Sequence, residues 1–309
     1  MSNSTPIKFT LLTACKDEEK DIHLAIESAL AQTYPHKEIL FVDDSTDKTK
    51  EIIRNYHDQG IKLLDGRGVG CCQARNLGMQ NATGDVIVFL TADTKLKPDY
   101  LEKIVGYYEE GYDWVTVQSF SYNIESIYSL FVEMQHRYWE RQSGFAPLTT
   151  AGYSVRRKAA EEVGFISGGD YPVNTCRDWS LGKKLEEKNY KKKYDRSISV
   201  PHKSPDNFAE FWLVQRTRGL MSAYQPYFMF KQSPHFLALK FLTKDIMAVF
   251  HFLLILPAAI RVGGMARHSE RPFSNYIPLF FTYLISVSAR CAGEWQGLIK
   301  IFRLRRQGW

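Results

Sequence analysis

The chain has 309 residues, 44% hydrophobic and 24% charged, with 40 Lys and Arg against 34 Asp and Glu. Those proportions describe a globular protein with a sizeable core. They exclude disorder, a collagen or heptad fibre, and a many-spanning membrane protein.

The first predicted element is a buried strand over 7–14. A helix follows whose core face is Ile22, Ala25, Ile26, Ala29 and Leu30. Next come a strand over 38–42, a helix over 51–56 and a short strand over 61–64. A helix over 71–81, a strand over 85–90, a helix over 99–109 and a strand over 113–117 complete the series. This alternation predicts an α/β fold, a doubly wound and mostly parallel sheet with helices on both faces. Such sheets bind ligands beyond the carboxyl ends of their strands. Four of those ends are polar: Lys16-Asp17-Glu18-Glu19, Asp43-Asp44-Ser45-Thr46-Asp47, Gly66-Arg67-Gly68-Val69-Gly70 and Thr91-Ala92-Asp93-Thr94. Any one of them also suits an ordinary helix N-cap, Asp17 and Asp47 above all. Four converging ends predict a polar crevice.

Charge is unevenly distributed. Residues 231–309 carry a net +8 and residues 1–230 a net −2, so the body offers no basic stripe for nucleic acid. The basic tail also holds the apolar runs 246–260 and 272–289. Two domains are therefore expected: an α/β one over 1–230, and a basic, apolar helical region over 231–309 associated with an anionic membrane surface. The first run is short for a span of ~20 residues, and the second carries Asn275 and Pro278. Core helices of a soluble domain are the other reading. Five cysteines without a CxxC pair predict reduced thiols, with the 1–230 domain on the cytoplasmic side. The apolar stretch 9–15 is too short for a signal peptide.

Taken in order, segments 14–22, 42–49, 68–78 and 84–94 resemble the family 2 inverting glycosyltransferases of GT-A fold, with the likeness extending over about 7–220. The resemblance implies a nucleotide-sugar donor, a UDP-sugar by preference, and Mg²⁺ or Mn²⁺ to neutralise the leaving diphosphate. It makes Asp44, with Asp43 beside it, the holder of the base, and Arg75 a contact of the nucleotide. Asp93 becomes the metal-binding carboxylate. Thr91 stands where the family has the first Asp of its Asp-x-Asp; its hydroxyl can bond a ribose but brings no full charge to a metal. Asp178 matches the general base that deprotonates the acceptor, preceded by Arg177 in place of the usual Glu. The segment from Ala151 to Arg157 matches the family's sugar pocket. Gln215 and Arg218 match residues that steady the diphosphate, and His202 is a further candidate for the metal. Gly219 replaces the Trp of polysaccharide synthases, which argues for transfer of a single sugar rather than processive polymerisation. A membrane-borne acceptor, a polyprenyl phosphate or a lipid-linked glycan, fits the basic tail. A catalytically silent nucleotide-sugar binder is the alternative. A nicotinamide-dependent oxidoreductase is disfavoured, since Gly-x-Gly-x-x-Gly does not open the first helix.

Overall fold

A computed structural model describes residues 5–143, 151–167, 171–173 and 178–308. The chain forms two compact units. One comprises Met1–Phe120 with Ala146–His202, the other Ser121–Phe145 with Lys203–Trp309.

The first unit is built on seven strands: β1 (Phe9–Cys15), β2 (Lys37–Asp43), β3 (Ile61–Asp65), β4 (Val86–Leu90), β5 (Trp114–Ser121), β6 (Ser154–Arg156) and β7 (Lys192–His202). Their order across the sheet is β3-β2-β1-β4-β6-β5-β7. β1 pairs in parallel with β2 and β4, and β2 with β3, whereas β6 runs antiparallel between β4 and β5. The helices of the chain begin with α1 (Ile22–Leu30), α2 (Thr49–Arg54), α3 (Gly70–Asn81), α4 (Tyr100–Glu109) and α5 (Ile127–Ser143). Of the next two, α6 (Arg157–Glu162) and α7 (Asp178–Glu187), both belong with the sheet, whereas α5 does not.

The central strands are apolar on both faces because both faces are covered. Phe9 and Leu11 of β1 and Val86, Val88 and Leu90 of β4 pack with α1 and α4. Leu12, Ile87 and Phe89 point the other way, among side chains of α3, α6 and α7. At the amino ends of the strands the buried Glu38 accepts from the Thr10 hydroxyl, from Thr83 and from Lys62 Nζ, the last at 2.9 Å. That network joins β1, β2 and the turn into β4.

The second unit is helical: α5 with α8 (Phe208–Phe228), α9 (Pro234–Leu254), α10 (Leu256–Ala266) and α11 (Pro272–Arg306). Phe131, Phe211, Val262, Met265, Leu279 and Tyr283 lie in its core. α8 and α11 cross at glycines. A Cβ on Gly219 would lie 2.1 Å from the Arg290 carbonyl oxygen, and one on Gly293 2.0 Å from that of Arg216.

The units divide the chain differently from a break near 230. α8 joins the helical unit because its glycine face is closed by α11, and α5 joins it through Phe131, Val132 and Met134. Among the described residues no helix is long and apolar enough to cross a membrane. Run 246–260 is interrupted at Ile255, whose φ is +56°, and run 272–289 forms the first half of α11. Buried Leu279, Thr282, Tyr283, Ser286 and Ala289 mark one stripe of that helix as core.

Candidate active site

The parallel strands β1, β2 and β3 end side by side, with Cys15 in register with Asp43 and Asp43 with Asp65. Their loops are laced together. Asp17 Oδ1 accepts from the Thr46 amide at 2.8 Å, and the Asp17 and Glu18 amides donate to Ser45 Oγ and Thr49 Oγ1, each at 2.8 Å. The Thr46 amide above all, with the Thr46 hydroxyl, holds the Asp17 carboxyl below its ordinary range. Asp47 Oδ1 accepts from the Thr49 amide at 3.0 Å, so it serves the first turn of α2. Asp47 Oδ2 also accepts from the Glu19 amide at 3.1 Å, so Asp47 and Asp17 both tie one strand end to the next.

Asp44 sits just beyond β2 and is 5% exposed. The Gly68 amide donates to its Oδ1, and Lys16 Nζ lies 3.2 Å from its Oδ2. Gly68 and Gly70 have φ of +78° and +76°, the left-handed conformation that glycine adopts without strain. This turn aims the amide at Asp44 and opens α3. Lys16, Asp44, Gly68, Val69, Cys71 and Tyr171 are among the walls of an open cleft. Asp43 lies beneath, 1% exposed; the Cys15 thiol donates to its Oδ1 across 3.6 Å, and its Oδ2 has no hydrogen-bond partner. Burial, and then the Asp43 charge, push the Cys15 thiol far up, which keeps it protonated. Arg75 is in the second turn of α3, part-buried.

A second cluster forms beyond β4. Thr91 to Thr94 make a turn in which the Thr94 amide donates to the Thr91 carbonyl at 3.1 Å, and the two hydroxyls bond each other at 2.5 Å. Thr94 forms an isolated antiparallel bridge with His202, the last residue of β7. The bridge brings His202 Nε2 to 3.3 Å from Asp93 Oδ2, both side chains partly open to solvent. One carboxylate and one imidazole suit a divalent cation that takes its remaining ligands from diphosphate oxygens and water. Asp93 and His202, far apart in sequence, are thus brought together.

The other candidates fall elsewhere. Asp178 is the first residue of α7; its side chain and Arg177 lie outside the described residues. Gln215 and Arg218 stand on α8 in the helical unit. Gln215 is fully buried, its Oε1 accepting from Ser286 Oγ at 3.1 Å and Arg290 Nε at 2.9 Å. Burial, with the nearby Arg290 charge, pulls Arg218 down to about 10. In the segment proposed as a sugar pocket, Arg156 Nε donates to the Tyr112 carbonyl at 3.0 Å and Arg157 Nε to that of Gly84 at 3.1 Å. Both arginines brace the sheet. Sequence reasoning did not single out Lys16 or Tyr171 as site residues. The signal for Lys16 was its place directly after the first strand; Tyr171, in a loop, gave none.

Residues 10–162 match the sequence model of Glycosyl transferase family 2. AglE of Haloferax volcanii, a glycosyltransferase, is 31% identical over 171 residues, covering 50% of this chain and 56% of that protein. The chain spans less than two thirds of this and of the other curated relatives that it matches. Among solved structures, the mannosyltransferase PcManGT from Pyrobaculum calidifontis in complex with GDP-Man and Mn²⁺ superposes with a TM-score of 0.62 at 17% identity. That likeness covers 96% of this chain and 88% of PcManGT. S. aureus TarS 1-349 in complex with UDP gives a TM-score of 0.50 at 14% identity, covering 98% and 92%. These likenesses establish a shared fold.

Proposed function

Because residues 10–162 make this chain a member of glycosyltransferase family 2, we propose that it transfers a single sugar, with inversion, from a nucleotide sugar to a membrane-borne acceptor. The observation that carries the donor half is the cleft around Asp44 at the carboxyl ends of β1, β2 and β3. A carboxylate accepts at about four lone-pair positions, so Asp44 can keep Gly68 and Lys16 and still receive a base N–H. Tyr171 supplies an aromatic face in the same cleft, Arg75 a cation from α3, and Thr91 a hydroxyl for the ribose. A UDP-sugar is the favoured donor, in line with the UDP named for TarS; the GDP-Man named for PcManGT is the competing choice.

Asp93 and His202 would hold Mg²⁺ or Mn²⁺, whose charge favours departure of the diphosphate. Asp178, at the start of α7, is the proposed base. It takes the proton from the acceptor hydroxyl or phosphate as that oxygen attacks the anomeric carbon opposite the leaving group. Asp178→Asn should leave UDP affinity within a few-fold and lower turnover by about 10²–10⁴. Near-normal turnover would move the role to another carboxylate.

The acceptor half rests on the helical unit. Leu239, Leu242, Ile246 and Val249 form an exposed apolar stripe on α9, and Phe273 at the start of α11 is 95% exposed. Lys240, Lys244, Arg267 and Arg271 stand in the same helices or beside them. Apolar side chains rimmed by cations suit an anionic bilayer surface. Cys15, Cys71, Cys72 and Cys291 form no disulfide, which agrees with a catalytic unit on the cytoplasmic side. The deciding assay measures free nucleoside diphosphate released from a panel of sugar nucleotides, in the presence of membranes and Mn²⁺. Release from one donor supports the reading; tight donor binding without release from any would mark a silent binder.

A further inference from the structure

The helical unit has a cavity of its own, which the donor chemistry leaves unused. Met247, Met265 and Val287 contribute apolar walls, and Lys244, Arg261 and Arg290 bring three cations. Lys244 is neutralised by Glu294, itself 2% exposed. The two arginines are held differently. Arg290 donates through Nε to Gln215 Oε1 at 2.9 Å and through Nη2 to Gln135 Oε1 at 3.1 Å. Arg261 Nη1 reaches the Tyr283 hydroxyl at 3.4 Å. Among the described residues neither guanidinium lies within ion-pair distance of a carboxylate.

Neutral oxygens therefore orient these charges without cancelling them. Burial draws Arg290 below its ordinary range; Glu294 partly offsets this, and the Arg261 charge adds to it. Arg218, on the neighbouring helix, feels Arg290 in the same sense. A half-buried guanidinium beside a second cation is costly, and a bound anion removes that cost. Guanidinium groups suit phosphate because their planar forks match its oxygens. The walls say what the rest of the ligand is. Met247 lines the cavity and is also 58% exposed, next to Ile246 on the apolar stripe of α9, and methionine adapts to irregular chains.

We propose that this cavity binds the phosphate head of an anionic amphiphile, whose hydrocarbon chain leaves past Met247 along α9. The inference rests on the reading that the acceptor is membrane-borne, and gives that acceptor a holding site in the helical unit.

The test uses the full chain and calorimetry with decyl phosphate below its micelle concentration. Decanol and inorganic phosphate are the comparison ligands, and UDP with Mn²⁺ reports on the first unit. Decyl phosphate should bind at least about tenfold more tightly than either comparison ligand. Arg261→Gln, at an exposed position, should weaken it about tenfold with UDP affinity unchanged, and Arg290→Gln should do so at least as strongly. Because Arg290→Gln could disturb the contact with Gln215, Met247→Trp serves as a second variant that narrows the mouth without touching a charge. Decyl phosphate binding equally well to all three variants would assign it to the exposed stripe and overturn the proposal. Inorganic phosphate matching decyl phosphate would overturn the amphiphile. UDP binding without decyl phosphate binding would sink the cavity alone; the reverse pattern would sink the nucleotide-sugar reading and leave the cavity standing.

Discussion

Asp93 meets His202 through a single backbone bridge between Thr94 and His202, so a pairing of distant residues depends on where β7 ends. If that pair holds a divalent cation, Asp93→Ala should abolish the gain in UDP affinity that Mn²⁺ brings, about tenfold or more by calorimetry. Unchanged affinity would mean that Lys and Arg neutralise the diphosphate instead. Glu38 presents a structural carboxylate. Burial alone would raise its pKa from 4.5, but hydrogen bonds from Thr10, Thr83 and Lys62 hold it down at about 2. A folded pKa below the unfolded one stabilises above the unfolded value, and that contribution is lost as pH falls from about 4.5 through about 2. Glu38→Gln should therefore cost about 2–3 kcal/mol at pH 7 in urea unfolding. The gap from wild type should narrow below pH 4.5; a gap independent of pH would refute this account.

At the scale of elements, the crossing of α8 and α11 explains a residue that the sequence presented only as a missing Trp. Gly219 has no room for a Cβ against Arg290, nor has Gly293 against Arg216. The two backbones touch where a stacking platform would otherwise stand. Gly219→Ala should lower stability by about 1–3 kcal/mol, as overpacking does in a filled interior. Gly219→Trp should prevent the helical unit from folding. Thermal melts of the Ala variant decide the matter, and a melting temperature equal to wild type would show that the helices separate freely. Pairing it with Gly293→Ala should give a loss smaller than the sum, because one shift of the helices relieves both clashes.

At the scale of the molecule, the net +8 of residues 231–309 accompanies exposed apolar side chains on α9 and α11. Each Lys or Arg near an anionic surface contributes about 1 kcal/mol. The full chain should therefore pellet with anionic liposomes and be partly released by high salt. Replacing Leu239, Leu242 and Ile246 together by Gln should abolish pelleting while leaving the melting temperature within a few degrees, since all three are exposed. Retention of the triple variant would move the contact to another surface.

The alternation of strand and helix, read from apolar runs, determined the sheet from β1 to β5, because its central strands β1, β2 and β4 are apolar and covered on both faces. It did not reveal β6, which has three residues, or β7, whose KKYDRSISVPH buries little beyond Ile198 and Val200. Without them the antiparallel part of the sheet cannot be placed and His202 has no address. Asp44 and Asp93 were legible because they directly follow strands, and a parallel sheet gathers its strand ends. Gln215 was legible as a motif, but its burial against Ser286 and Arg290 follows from a helix crossing that no local pattern records. The apolar tail was visible as apolar. Only packing decided which stripe of α11 became core and which remained exposed, since composition counts hydrophobic residues but not the partners that cover them.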